Sequence, residues 1–266
     1  MDYLTFPSSE NPFLENYLPK HKLNNDLPFT TLTFATSLDS SLALSPGACT
    51  VLSGPQSKAM THYLRSRHDA ILIGVGTAVA DNPGLNCRIQ GVGGYGGEGL
   101  QGQPRPIVLD PSARWEFNDS SKILQLAKEG RGKAPWIITA SGVSISEDKK
   151  RLLESYGGEF IPLDIMEGKG FDWAELLQCL KREGLESVMI EGGGSVINSL
   201  LEPQFQHLVD SVIVTIAPTW LGQGGVVVSP KRRLDGDGNA MAASRLKDVK
   251  WHPFGEDVVL CGRIGQ

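Results

Sequence analysis

Cysteine is sparse and unpaired in this sequence. Cys49, Cys87, Cys179 and Cys261 are scattered, with no Cys-x-x-Cys pair. That spacing argues against a disulfide framework or a zinc site and leaves free thiols in a reducing compartment as the reading. No apolar run reaches the ~18 residues that span a bilayer. The opening stretch MDYLTFPSSENPFLENYLP has acids and prolines but neither the basic nor the apolar part of a signal peptide. A cytoplasmic protein with no membrane partner is therefore expected. Positive charge is also short, with 25 Lys and Arg against 30 Asp and Glu and a net charge of −5. A nucleic-acid partner is not expected, although single basic residues can still hold a small phosphate ester. There is no Gly-x-Ser-x-Gly and no His-Glu-x-x-His, so no hydrolase signature is visible. The Gly-x-Gly-x-x-Gly dinucleotide fingerprint is missing too.

What is present is enough apolar sequence for a substantial core: 40% of residues are hydrophobic and 21% charged. Residues 1–28 are rich in Pro, Asn and Ser and read as an N-terminal arm on the surface, with Phe13, Leu14, Tyr17 and Leu18 as one helical turn. Residues 29–266 read as a single domain. Phe29 to Thr36 (FTTLTFAT) is β-branched and aromatic, hence a strand. Pro55 to Arg67 has helical spacing at Ala59, Met60, Tyr63 and Leu64. Short apolar strands follow at Ala70–Gly74, Pro106–Leu109, Pro135–Thr139, Glu159–Leu163 and Ser187–Ile190. Helical patterns lie at 146–156, 172–181 and 195–201, with Asp172 as an N-cap. Strands alternating with helices imply an α/β fold with a mostly parallel sheet flanked by helices. Leu208–Ala217 and Val258–Ile264 have no strong helix between them and are expected to pair antiparallel. Residues 91–103 carry seven glycines in thirteen positions and read as a flexible surface insertion.

Two segments carry the candidate chemistry. In DAILIGVGTAVADNPGLNCR (69–88), a buried strand gives way to Gly74-Val75-Gly76-Thr77, then to Asp81 and Arg88. Thr77 is expected to cap the following helix, with Asp81 one turn on along the same face. In ESVMIEGGGSVINSLL (186–201), Glu191 ends a strand and Gly192, Gly193 and Gly194 precede a helix. Three glycines are entropically costly, and bare backbone before a helix suits a pyrophosphate. Arg65 and Arg88 are candidate phosphate clamps because a guanidinium matches phosphate oxygens bidentately. Asp39 reads as a cap or a polar cleft residue. His62 and His68 read as ordinary polar residues, with no spacing that makes a metal site. Two such edges suggest one long cleft for two ligands.

Taken with TLTFATSLDSSLA (31–43), QPRPIVLD (103–110) and DSVIVTIAPTWLGQGG (210–225), these segments occur in the order found in the riboflavin-biosynthesis reductases. The chain resembles that family, and its stand-alone fungal branch most. The resemblance implies a dihydrofolate-reductase-like fold, NADPH as cofactor and a homodimer joined through the C-terminal β-rich segment. Carried over motif by motif, it places Thr77, Asp81, Ile161, Gly192, Gly193, Gly194, Ser195 and Val196 at the cofactor. It places Arg65, Leu85, Arg88 and Glu191 at a phosphorylated pyrimidine ribosylamine substrate. The implied reaction reduces the ribosyl side chain of 2,5-diamino-6-ribosylamino-4(3H)-pyrimidinone 5′-phosphate to the ribityl form, by hydride transfer to an opened sugar. Asp39 and Glu191 are the candidates for a proton relay. Two rival readings stay open at this point: a reductase of the deaminated pyrimidinedione, and a non-catalytic nucleotide-binding module.

Overall fold

Thirteen strands and seven α-helices are found in the computed structural model, which describes residues 3–20, 26–166 and 170–264. Residues 1–2 and 21–25 of the expected arm, and 167–169 and 265–266 of the expected domain, lie outside the described residues. The chain runs through α1 (Asn11–Leu14), β1 (Phe29–Thr36), β2 (Ser41–Ala43), α2 (Pro55–Ser66), β3 (Ala70–Gly74) and α3 (Val75–Asp81). It continues with β4 (Arg105–Leu109), α4 (Lys122–Lys128), β5 (Trp136–Ala140), α5 (Glu147–Ser155), β6 (Glu159–Leu163), β7 (Ile165–Met166) and β8 (Gly170–Phe171). It closes with α6 (Trp173–Arg182), β9 (Ser187–Gly192), α7 (Gly194–Leu200), β10 (Ser211–Ile216), β11 (Val226–Val227), β12 (Leu246–Phe254) and β13 (Asp257–Ile264).

Nine strands form one sheet in the order β12-β13-β10-β1-β9-β3-β4-β5-β6. The seven from β10 to β6 are parallel. The C-terminal β13 and β12 extend the sheet antiparallel beyond β10. This is the mixed, mostly parallel architecture that the sequence implies. Alternation along the strands sends Ile71 and Ile73 to one face and Leu72 to the other. The first face packs on α4 and α5 through Ile123, Leu124 and Leu153. The second packs on α6 and α7 through Trp173, Leu176, Leu180, Ile197 and Leu200. Asp172 caps α6 as expected, accepting the amides of Ala174 (2.8 Å) and Glu175 (3.0 Å).

A third cluster corrects the view of the N-terminal segment. Leu14, Tyr17 and Leu18 are buried with Met60 and Leu64 of α2 and with Met189, Ile213 and Val259 of the sheet. The arm thus lies on the surface for most of its described length but anchors itself in the core through these three side chains. The glycine-rich segment differs in the same direction. Tyr95 is buried, and a Cβ on Gly97 would collide with the Gly91 carbonyl. Its glycines permit backbone to pack on backbone rather than confer looseness. β2, β11, α4 and β12 are elements the sequence pattern does not announce. No helix among the described residues is long and apolar enough to cross a membrane.

His68, at the end of α2, is a buried, satisfied histidine. Its Nδ1 donates to the Leu64 carbonyl (2.7 Å), so Nε2 accepts from the Thr31 hydroxyl (2.8 Å) in the neutral ring. Burial pushes its pKa down to about 4. The unfolded chain therefore takes up a proton near pH 6.5 that the native state refuses until about pH 4. Stability from this group is intact above pH 6.5 and is lost as pH falls toward 4, by up to about 1.4 kcal/mol per pH unit. Urea unfolding across that window should show the slope, and His68→Gln should remove one proton's share of it. Equal slopes in the two proteins would mean the imidazole is not held neutral.

Candidate active site

The sheet's carboxyl edge carries the site, where β3 and β9 both stop and turn into helices. In β9 the pairing slips by one residue: Ile190 faces Leu72, but Gly192 faces Ile73. Glu191 is the extra residue, and such a bulge re-aims a side chain. Its carboxylate meets Arg65 of α2 in a bidentate pair, Nε to Oε1 at 2.8 Å and Nη2 to Oε2 at 2.7 Å. Arg65 also donates to the Asn86 carbonyl (3.1 Å). The two side chains are 13% and 18% exposed. Burial opposes the charge on Arg65, but Glu191 more than offsets it and leaves the guanidinium above its ordinary pKa.

Two cavities of 720 and 590 Å³ meet at Ala35, Leu42 and Thr50. The 720 Å³ cavity is bounded by Lys58, His62, Arg65, Arg88, Lys122 and Arg131, with no Asp or Glu among the described residues of its lining. Leu85 and Asn86 form part of its floor, Leu85 in a left-handed conformation at φ 51°. The 590 Å³ cavity holds Thr77, Asp81, Arg114, Glu191, Gly193, Gly194 and Ser195. The segment from Ser45 to Ser53 borders both. The cleft is thus divided into an all-cationic half and a mixed half with bare main chain.

The sequence-derived residues fall into this cleft unevenly. Arg65, Leu85 and Arg88 share the cationic half, while Thr77, Asp81, Gly193, Gly194 and Ser195 share the other. Glu191 lines the second half, yet both its oxygens are engaged by Arg65 of the first, so the pair stands between the two. Arg65 is consequently committed to a protein carboxylate. Thr77 caps nothing: α3 begins at Val75 with Gly74 as its N-cap, and Thr77 sits inside the first turn. Gly192 and Val196 line neither cavity. Gly192 is needed because a Cβ there would lie 2.6 Å from Ile197 Cδ1, and Val196 is core packed 3.2 Å from a Cβ placed on Gly74. Gly194 is needed in part because a Cβ there would overlap Val226. Ile161 sits in mid-β6 against the core, away from both cavities.

Asp39 also lines neither cavity. Its oxygens accept the Leu221 amide (3.1 Å) and the Gly222 amide (2.7 Å), and the Ser37 hydroxyl bonds to it as well. The Ser37 hydroxyl first, then those two amides, hold its pKa down to about 2. It latches the turn after β1 to the loop after β10 and has no proton to relay at neutral pH. Two residues outside the sequence-derived candidates are in the cleft, Arg114, which the sequence reading did not single out, and His62, which it read as an ordinary polar residue. Arg114 follows Ala113, whose φ is 52°, in the loop after β4. His62 lies one turn before Arg65 on α2, and helical spacing from Arg65 was the available signal for it.

Comparison with known proteins fits this geometry. Residues 28–260 match the family model described as the RibD C-terminal domain. A protein of Debaryomyces hansenii named 2,5-diamino-6-ribosylamino-4(3H)-pyrimidinone 5′-phosphate reductase is 40% identical over 99% of this chain and 100% of its own length. The Saccharomyces cerevisiae protein of the same name is 40% identical over 95% of this chain and 94% of its own. The solved structure of the riboflavin biosynthesis reductase Rib7 of that yeast superposes with a TM-score of 0.75, at 38% identity over 96% of this chain and 100% of that one. Acinetobacter baumannii RibD, at 22% identity and a TM-score of 0.69 over 91% of this chain and 59% of that one, shares the fold. With the family model and these relatives spanning nearly its whole length, the chain belongs to the RibD C-terminal domain family of riboflavin-biosynthesis reductases.

Proposed function

We propose that this chain catalyses the NADPH-dependent reduction of 2,5-diamino-6-ribosylamino-4(3H)-pyrimidinone 5′-phosphate, converting its ribosyl side chain to the ribityl form. One observation carries the reading: a cavity lined by five basic side chains and, among the described residues, no acid meets a second cavity walled by Thr77 and the bare main chain of Gly193 and Gly194. The first suits a phosphate ester, the second a dinucleotide laid against backbone. The name of the relatives supplies the identity of the phosphate ester.

The residues of the second cavity fit a nicotinamide dinucleotide. A Cβ on Gly193 would stand 2.9 Å from Thr77 Oγ1 and fill the cradle. When bound, the nicotinamide supplies the hydride for C1′ of the opened sugar. Arg88 holds the substrate phosphate in the cationic half. Arg65 and Glu191 fix the wall between α2 and β9 and thereby set the distance between the two ligands. Ala35, Leu42 and Thr50 provide a small, weakly polar junction where the two cavities meet. Asp39 and Glu191, the proton-relay candidates, are each held by protein donors. A homodimer accompanies this reading, joined through the edge strand β12, where Val249 and Trp251 are exposed.

The test is the fall in absorbance near ~340 nm, the reduced-nicotinamide signal, with the diamino substrate and with its deaminated counterpart side by side. Consumption of NADPH with the diamino compound is the expected result, and none with either compound would end the reading. The choice of NADPH over NADH rests on Arg114, the one basic residue of the second cavity among the described residues. Arg114→Ala should raise the KM for NADPH by roughly tenfold or more, the worth of a charge-assisted contact to a 2′-phosphate. Its KM for NADH should not change. A parallel rise for both cofactors would place the guanidinium elsewhere on the dinucleotide.

A further inference from the structure

Residues 86–88 include two that line the cationic cavity, Asn86 and Arg88, yet they lie in no strand or helix. Bonds from elsewhere in the chain hold them instead. The Asn86 carbonyl accepts from Arg65 Nη1 (3.1 Å), the Arg88 amide donates to His62 Nδ1 (3.1 Å), and the Arg88 carbonyl accepts the Leu4 amide (2.8 Å). Between these, the N–H and the C=O of Cys87 both go to one side chain. Gln103 accepts the Cys87 N–H at Oε1 (2.8 Å) and donates from Nε2 to the Cys87 carbonyl (2.7 Å). Nε2 also donates to the Gly93 carbonyl (2.8 Å). A main-chain N–H only donates and a C=O only accepts, so the three partners fix which way the Gln103 amide points. Gln103 is 2% exposed and is not among the described residues that line either half of the cleft.

Gly93 belongs to the glycine-rich stretch 91–103, so this amide ties that stretch to the main chain beside Arg88. A second tie runs alongside. Asn86 Nδ2 donates to the Tyr95 hydroxyl (2.8 Å) and to the Arg131 carbonyl (2.9 Å), and the Arg131 guanidinium lies 4.8 Å from the Tyr95 ring centroid. A Cβ on Gly94 would stand 2.6 Å from the Gly130 carbonyl oxygen, so the stretch is packed bare against the turn after α4. Beside these ties Leu85 keeps its φ of 51°, a strained conformation that persists in a residue with a side chain only where the surroundings over-determine it. We propose that Gln103 is a positioning residue for the substrate: through the main chain of Cys87 it sets Arg88 and the strained Leu85 at the cationic cavity, with the glycine-rich stretch as the frame that holds it. This rests on the reading of that cavity as the phosphate half of the cleft. The wall that grips the substrate then takes its shape from outside the cleft.

Gln103→Met keeps the length and bulk of the side chain and removes all three bonds. It should raise the KM for substrate by about tenfold or more, because a small misplacement of a binding group is that costly. The KM for NADPH should not change, since Thr77 and Gly193 follow β3 and β9 and are not bonded to Gln103. A purely structural role would lower the melting temperature and move neither KM in the molecules that fold. A wild-type substrate KM in Gln103→Met, or an equal rise in both KM values, would overturn the proposal. Arg88→Ala is the control for the underlying reading: if it raises the substrate KM and Gln103→Met does not, only the inference falls, and if it leaves the substrate KM unchanged, the reading falls and the inference with it. Should Gln103→Met fold poorly, hydrogen exchange of the wild-type protein answers directly. Coupling is reciprocal, so a ligand on a site that the frame sets must stabilise the frame. Ribose 5-phosphate at about ten times its Kd should slow exchange of the Cys87, Gly93 and Tyr95 amides by about tenfold. Binding of that ester with no slowing at these amides would overturn the proposal whether or not the protein reduces anything.

Discussion

Glu191→Ala is expected to lower the unfolding free energy by about 3–5 kcal/mol, the cost of leaving one member of a buried ion pair behind. The pair is bidentate, both side chains are less than a fifth exposed, and Arg65 stays charged when its partner goes. After truncation the guanidinium keeps only the Asn86 carbonyl from its former set. Urea unfolding measures the loss. Glu191→Gln, which retains an acceptor, should cost less, and the Arg65→Met, Glu191→Leu double variant should regain much of the stability of the single one, since apolar pairs replace buried ion pairs at little cost. The double variant should nevertheless have a damaged substrate site, because the wall between α2 and β9 no longer presents a fixed polar surface. A loss under about 1 kcal/mol in Glu191→Ala would mean that the pair behaves like an exposed one.

That pair also marks where sequence reasoning stops. The strand-to-glycine breaks at Gly74 and Gly192 and the cap at Asp172 were legible because each is a local pattern. The parallel sheet followed from the alternation of such segments. The partnership of Arg65 with Glu191 was not legible: the residues are 126 positions apart, and the bulge that turns Glu191 toward α2 is a single slipped register between β3 and β9. Sequence reasoning therefore placed Arg65 on phosphate. It also read three glycines as one signal, where Gly192 answers to Ile197, Gly194 in part to Val226, and Gly193 to the Thr77 hydroxyl. β12 escaped notice for a different reason. It is an edge strand with mostly exposed residues and a register shift between Lys247 and Lys250, so no period-two apolar pattern exists to be read. The N-terminal arm looked superficial because it is rich in Pro, Asn and Ser, yet Leu14, Tyr17 and Leu18 fill the gap between α2 and the antiparallel end of the sheet.

Gly193→Val should abolish measurable NADPH affinity, by about 100-fold or more, a loss of at least about 2.7 kcal/mol. Two effects combine. Gly193 has φ 78° and ψ 146°, a region that side-chain-bearing residues enter at a cost of about 1–3 kcal/mol. A Cβ at this position also lies 2.9 Å from Thr77 Oγ1, within the space proposed for the cofactor. Strain alone would lower stability without touching affinity in the molecules that fold, so the two must be separated. Gly193→Ala gives the smallest possible Cβ, and adding Thr77→Ala removes the hydroxyl it meets. The double variant should recover part of the thermal stability lost in Gly193→Ala. Its NADPH affinity should stay well below that of Thr77→Ala alone, because the methyl group still occupies the place where main chain and dinucleotide meet. If the double variant binds NADPH as well as Thr77→Ala does, the defect was a clash between two protein groups. The cofactor then lies somewhere other than against the Gly193 backbone.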